Sequence, residues 1–434
     1  MSNWPLRLTL LASAAALGAA AHRPAHAAAF QLKENSAVGL GTAFAGEGSA
    51  ANTPATAFNN PAGMTQLPGV QIALGSSLIV PQATFNGTAR NAFGQPISGG
   101  SGADGGNPAV VPHGYITWKP QGQNFALGLA ITSPFGLATT YEPGFVGRYQ
   151  ADKTDLRTIN INPNVAYQVA PWLSLGAGFS AQYGRAVFSQ FINSSTVATS
   201  LFRRPTVLPD GYSNLNGNDW AFGYNFGALI QPGPQTNIGI TYRSRVQHDF
   251  EGGVNFSVPA PLNQAPNFQN SAARAKLVLP DTVGLSITQG IGSNLIVSAD
   301  VDWTNWSQFK TLTAFRDNGT QLANTPQHYH NSVFASLGAA YTLTDKLTLR
   351  GGTAYDKTPV SNAYRTARVP DDDRYWLAIG ASYKVLQNIT VDAGYAHIFV
   401  TSPRIGEVSA TGDVLSGKYS NAIDIFSLGT RTVF

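Results

Sequence analysis

Six tight turns alternating with seven long loops constrain this chain more than any other feature. The turns fall at 119–122, 170–172, 232–237, 292–294, 344–346 and 386–388, and each joins two stretches of alternating apolar and polar residues. The long, polar, Gly- and Pro-containing connections fall near 81–112, 134–157, 189–218, 247–276, 306–330, 357–372 and 400–420. Short turns on one rim and long loops on the other are the layout of a transmembrane β-barrel of the outer-membrane type. Six turns join twelve strands, and the first and last strands add two. The expected fold is therefore all-β, a 14-stranded antiparallel transmembrane β-barrel. An even count lets the sheet close and leaves no edge.

The strands themselves carry period-two patterns. Ile159, Ile161, Val165, Tyr167 and Val169 alternate with Thr158, Asn160, Asn162, Asn164 and Gln168. Leu295, Val297, Ala299, Val301 and Trp303 alternate with Ser298, Asp300, Asp302 and Thr304. Successive side chains of a strand point to opposite faces, so one face is apolar and the other polar. A soluble sandwich shows the same alternation; the unbroken strand series, the N-terminus and the terminal Phe434 favour the barrel. Phe426, Leu428 and Phe434 close the last strand in the manner of a signal read by the barrel-assembly machinery. Trp118, Trp172, Tyr341 and Tyr383 lie beside short turns, and Trp303, Trp306 and Trp376 lie near the other strand ends. Two aromatic girdles at the membrane interfaces would place them so.

Arg7, an apolar run over 8–21 and Ala25-His26-Ala27 read as a secretory leader, residues 1–27, cleaved after Ala27. The run is shorter than the roughly 20 residues a spanning helix needs. Insertion must then be by strands. Removing the leader takes away Arg7 and Arg23 and no acid, so the formal charge of the rest is 25 − 23 = +2. That balance offers nothing for nucleic acid. Cysteine is absent, and charged residues make up only 12% of the chain against a usual share of roughly 25%. Residues 68–434 form the expected barrel. Residues 28–67, rich in small residues and lacking alternation, are expected to plug its lumen, because solvated tails are usually more charged.

Several short motifs resemble one family. Ala29-Phe30-Gln31-Leu32, Gly39-Leu40-Gly41, Ala45-Gly46-Glu47-Gly48 and Asn60-Pro61-Ala62 look like the N-terminal hatch of the FadL/TodX (OmpP1) transporters of hydrophobic compounds. Phe135-Gly136-Leu137-Ala138-Thr139, Leu215-Asn216-Gly217-Asn218, Thr241-Tyr242-Arg243-Ser244, Trp306-Ser307-Gln308-Phe309 and Val369-Pro370-Asp371-Asp372-Asp373-Arg374 extend the resemblance along the chain. It implies a monomeric outer-membrane barrel among lipid and lipopolysaccharide that needs no cofactor. It also implies capture of long-chain fatty acids or hydrocarbons by external loops, an internal pocket, hatch gating and sideways exit at a kink in the third strand.

At Ser133-Pro134-Phe135-Gly136 the proline removes a ladder donor and the glycine weakens the strand. On the residues alone, either the strand ends at Thr132 or the wall is broken there; the resemblance favours a gap. The long connections 189–218 and 247–276 carry Phe191, Ile192, Leu201, Phe202, Phe256 and Val258, much apolar surface for exposed segments, which marks binding. The resemblance places a capture groove between them. Gln190 and His330 stand where fatty-acid carriers of the family have basic pocket residues. A buried carboxylate needs a charge partner or strong donors, so these two point toward neutral ligands, with Arg185 and Lys276 as the remaining basic candidates. Asn60-Pro61-Ala62 is the expected gate: a rigid turn displaced as a unit, or else an ordinary turn into the first strand.

Other chemistries find little support. His328 and His330 lack a third ligand at metal spacing, and Asp371 to Asp373 read as a solvated run or a seat for lipopolysaccharide-linked ions. No Ser or Asp nucleophile is accompanied by a suitable histidine for a membrane hydrolase. The alternative function is a general diffusion porin, which constricts its pore with an inward loop rather than an N-terminal plug.

Overall fold

A computed structural model of the chain describes residues 29–434; the expected leader over 1–27 lies outside them. The sheet contains twenty strand segments, and every pairing is antiparallel. They make fourteen barrel strands, because five strands are each interrupted once and the short strand Arg404–Val408 belongs to a loop hairpin. In chain order these are β1 (Gly69–Arg90), β2 (Ala109–Lys119), β3 (Phe125–Thr132 and Gly136–Thr140), β4 (Lys153–Ala170) and β5 (Leu173–Ile192). Next come β6 (Gly211–Gly233), β7 (Thr236–Arg243 and Val246–Ser257), β8 (Ser271–Leu279 and Thr282–Ile291), β9 (Leu295–Thr304 and Thr311–Arg316) and β10 (Gln321–Pro326 and Ser332–Thr344). The series ends with β11 (Leu347–Asp356), β12 (Arg374–Lys384), β13 (Ile389–Val400) and β14 (Val414–Val433). β1 pairs with β14 from Gln71↔Val433 to Arg90↔Val414, which closes the barrel. All six short turns join strands that are consecutive in the barrel.

The outward face is apolar. Leu74, Val110, Val165, Leu285, Leu377 and Ile379 are each at least half exposed. No helix among the described residues is long and apolar enough to cross a membrane. Trp118, Trp172, Tyr341, Tyr383 and Trp303 stand on the outer face. The girdle expectation fails for Trp306 and Trp376, which are fully buried and face the lumen. The wall there is apolar on its inner side as well, so an aromatic residue has two apolar destinations.

Residues 29–67 fill the lumen toward the short-turn rim. Their helices are short: α1 (Ala37–Leu40), started by Ser36 accepting from the Gly39 amide at 2.8 Å, and α2 (Thr56–Asn59). A 3-10 turn follows over Pro61–Gln66. Leu40 and Phe44 pack on Trp376, Ile398 and Ile425 of the wall. Phe58 and Met64 pack on Tyr115, Ala126, Ala130 and Ala166. The wall admits the plug backbone closely because it has no side chain at the contacts. A Cβ on Gly239 would lie 1.9 Å from the Gly48 carbonyl oxygen, and one on Gly352 would lie 2.2 Å from the Thr42 carbonyl.

The connections 189–218 and 247–276 are shorter than the sequence suggests. β5 runs to Ile192, β6 begins at Gly211, and Tyr212↔Ser257 continues the ladder between β6 and β7. A third helix, α3 (Ser194–Phe202), caps the first hairpin.

Candidate functional site

The wall is broken beside Pro134. β3 keeps pairing with β2 only from Trp118↔Leu127 to Gly114↔Ile131. The next contact between their flanks is a lone bridge, Gly106↔Thr139. On its other side β3 pairs with β4 up to Thr132↔Asn160 and resumes at Gly136↔Arg157. The chain thus advances four residues against three on its partner, and Ser133-Pro134-Phe135 leave the sheet plane as an irregular kink. A proline supplies no amide to the ladder, so the gap on the β2 side persists.

The N-terminal segment occupies the exposed edge of that kink. The Leu32 amide donates to the Pro134 carbonyl at 2.9 Å, and the Gly136 amide donates to the Phe30 carbonyl at 3.0 Å. Gln31 and Phe135 form an antiparallel bridge between these bonds. Thr158 Oγ1 accepts from the Phe135 amide at 3.0 Å and donates to its carbonyl at 2.7 Å, which fastens the kink to β4.

Behind the gap lies a cavity of about 730 Å³. Its lining includes Phe30, Glu34 and Phe135 from inside, and Val110 and Ile159, which are exposed on the outer face of the barrel. The volume falls within the roughly 300–1,000 Å³ typical of small-molecule sites. Alongside it Phe30, Phe135, Phe250, Trp306, Phe309 and Tyr329 pack into one buried aromatic cluster, a chamber whose space the Phe30 ring fills. Phe30 meets Trp306 edge to face at 4.8 Å and Phe309 at 6.0 Å, and Tyr329 meets Phe309 at 5.0 Å. The Trp306 Nε1 and Tyr329 hydroxyl are buried without a hydrogen-bond partner. The chamber is therefore apolar, with two polar handles.

Below the chamber the plug meets a polar floor. Lys33 donates to Asp302, and the Gly46 amide donates to Asp300. Burial alone would push the Lys33 ammonium down, but Asp302 beside it holds it above its ordinary value. Burial pushes the Glu34 carboxyl up to about 7 and the Glu47 carboxyl up to about 8. Arg243 donates to the Phe58 carbonyl and lies 3.8 Å over the Phe58 ring.

Asn60, Pro61 and Ala62 sit at this floor, buried against the wall. Asn60 caps the 3-10 turn by accepting from the Ala62 amide at 3.1 Å. Its amide nitrogen donates to the Gly48 and Ala228 carbonyls at 2.6 and 3.0 Å. Pro at the first position has its φ preset for such a turn. The segment is a pin between plug and wall.

The remaining expected positions divide. Ile192 is buried; Phe191 stacks edge to face on Tyr212 at 5.2 Å, and Phe256 on Phe268 at 5.8 Å. Val258 packs at Gly211, so the two hairpins touch there. Leu201 and Phe202 are exposed at the end of α3, and Val207 is exposed in the loop after it. Gln190 accepts from Arg368 at 2.7 Å, so a guanidinium that the sequence reading overlooked stands beside it. Arg185 is not in the lumen: it is exposed on the outer face, opposite Arg157, because the inward positions of β5 are Gln182, Gly184 and Ala186. Lys276 is exposed too, beside Asp249 at 3.8 Å. His330 is exposed, and its neighbour Tyr329 is the residue that enters the chamber. The acidic run is not solvated. Asp371 and Asp373 are buried and bind Arg374, Thr358 and Tyr355, because the loop folds back over the barrel mouth.

Residues 18–434 match the family described as outer membrane protein transport protein (OMPP1/FadL/TodX). The chain is 33% identical over 433 residues to outer membrane protein P1 of Haemophilus influenzae, covering 93% of this chain and 92% of that one. It is 31% identical over 398 residues to the long-chain fatty acid transport protein of Salmonella typhi, with 88% and 90% covered. A crystal structure of a Pseudomonas aeruginosa FadL homologue superposes with a TM-score of 0.88 at 26% identity, covering 94% of this chain and all of that one. The chain belongs to the OMPP1/FadL/TodX family and is a Gram-negative outer-membrane β-barrel.

Proposed function

We propose that this barrel is a passive channel that admits hydrophobic small molecules from the loop side and releases them sideways into the membrane at the β3 kink. The observation that carries this reading is the Gln31–Phe135 bridge. The N-terminal segment stops a break in the wall, in front of a cavity lined by both lumen-facing and lipid-facing residues. In this reading Leu201, Phe202 and Val207 offer the first apolar contact, and the aromatic chamber holds the ligand in place of Phe30. Withdrawal of residues 29–32 then opens the gap. The ligand moves down its partition gradient from water to lipid, so neither catalysis nor an energy source is required. Relatives named for long-chain fatty acid transport make such acids the leading substrate class. A general diffusion porin is disfavoured because residues 29–67 fill the lumen.

The test is uptake by an outer-membrane strain lacking its own transporter, comparing radiolabelled oleate with toluene. A variant lacking Phe135 and carrying Pro134→Ala, which matches the step lengths of β3 and β4 and restores the missing amide, should stop uptake while the barrel stays folded. Undiminished uptake by that variant would remove the sideways route. Entry of small sugars with neither hydrophobe would restore the porin.

A further inference from the structure

We propose that Arg243, Asn160 and Ser180 form a seat for the carboxylate of an acidic hydrophobic ligand, below the aromatic chamber. This rests on the channel reading above and assigns the charge recognition that Gln190 and His330 do not supply.

Arg243 ends the first segment of β7. Its Nη2 is used by the Phe58 carbonyl, but its Nη1 is buried with no hydrogen-bond partner. No carboxylate among the described residues lies within ion-pair distance of it. A guanidinium withdrawn from water without an anion is costly, and the planar fork matches a carboxylate with two parallel bonds.

Asn160 and Ser180 line the same small cavity as Arg243, of about 110 Å³. Both amide atoms of Asn160 and the hydroxyl of Ser180 are buried and unpartnered. Thr132, directly opposite Asn160 in the ladder, also has a buried, unpartnered hydroxyl. Buried polar groups are almost always satisfied in folded proteins, so the unpartnered Asn160 amide and Ser180 hydroxyl, sharing one cavity with the free Arg243 Nη1, mark a place for an acceptor. The other cation of this cavity is unavailable, since Lys33 is taken by Asp302. The acids beside it are also engaged: Asp300 accepts from the Gly46 amide, and Ser36 donates to Glu47 at 3.4 Å.

The small cavity holds a head group, not a chain, since one water already claims about 30 Å³ of liquid. Gln31, Leu32 and Phe135 line both it and the cavity of about 730 Å³ beside the gap. A carboxylate at Arg243 can therefore extend its tail past Phe135 toward the membrane.

The experiment uses the purified full chain in detergent and compares binding of oleate with that of oleyl alcohol, which has the same tail and no charge. Arg243→Gln should weaken oleate at least tenfold while changing oleyl alcohol less than twofold, and Arg243→Lys should recover part of the loss. Asn160→Leu, which leaves the Arg243 contact with Phe58 in place, should weaken oleate selectively as well. Parallel loss of both ligands would make Arg243 only a fastener of the plug and overturn the proposal, as would an unchanged oleate affinity. If the native chain binds oleyl alcohol but not oleate, the seat is wrong and the channel reading stands. If it binds neither, both fall.

Discussion

Phe30, near the start of the described chain, places its ring 4.8 Å from the indole of Trp306, edge to face, in the centre of the barrel. The same residue gives its carbonyl to the Gly136 amide at the kink. One side chain thus fills the apolar chamber while its backbone stops the gap. Removing the ring should release both together. Phe30→Ala is expected to cost about 3 kcal/mol of local docking, which corresponds to roughly a hundredfold faster exchange of the Leu32 and Gly136 amides. The barrel, closed by β1 and β14, should keep its heat-modifiable mobility. Hydrogen exchange read by mass spectrometry decides it, and unchanged protection of both amides would separate the ring from the bridge.

The second prediction concerns the bare wall beneath the plug. At Gly239 an added methyl would lie 1.9 Å from the Gly48 carbonyl oxygen, and backbone cannot yield as a side chain does. Overpacking of this kind costs about 1–3 kcal/mol. Gly239→Ala should therefore lift the plug without opening the ladder. Single-channel recording in planar bilayers should show larger and noisier ion conductance than the native barrel, with Gly406→Ala, at a site with open space around it, as the control.

Acidity should tighten the plug. Glu47 has an ordinary value of 4.5 and is pushed up to about 8, first by burial. Below pH 4.5 it is protonated whether the plug is docked or not, and it makes no difference. As pH climbs from 4.5 to about 8, the undocked carboxyl ionises while the docked one resists, so docking weakens across that window. Glu34, raised to about 7, acts in the same direction. Conductance should rise between about pH 5 and pH 8, and Glu47→Gln should flatten most of the rise. A conductance that falls with pH would reverse the sign assigned here.

The barrel was legible because its evidence is local. A turn, a loop and a two-residue alternation can each be read within a dozen residues, and their repetition counts the strands. The hairpin extensions were harder to read: Val246, Phe250, Val254 and Phe256 do alternate with Gln247, Asp249, Glu251, Asn255 and Ser257, but Gly252-Gly253 and the polar content of the stretch resemble a loop. The chamber was hidden for a different reason. Phe30, Phe135, Phe250, Trp306 and Tyr329 come from distant parts of the chain, only Phe250 from within a strand, and meet only when the barrel closes around the plug. The Thr241-Tyr242-Arg243-Ser244 and Trp306-Ser307-Gln308-Phe309 motifs were visible as resemblance, but nothing in the sequence said which of their side chains turn inward. Alternation fails in the same way at Arg185, where a one-residue difference moves a charge from lumen to membrane surface.

The pair Tyr329 and His330 gives the last prediction. The two are adjacent, but Tyr329 is buried in the chamber against Phe309 and Trp306, while His330 faces solvent and donates its backbone amide to the Pro359 carbonyl at 2.9 Å. Ligand contact should follow the direction of the side chain. Tyr329→Ala removes a ring from the chamber and should weaken oleate binding on the order of ten- to a hundredfold, as expected for about 1.5–3 kcal/mol of lost apolar burial. His330→Ala should leave it within twofold. Tyr329→Phe separates the ring from its unpartnered hydroxyl: affinity close to native assigns the contribution to packing, and a loss near that of alanine assigns it to the hydroxyl. Should His330→Ala prove the more damaging variant, the ligand would sit outside the chamber, at the loop rim.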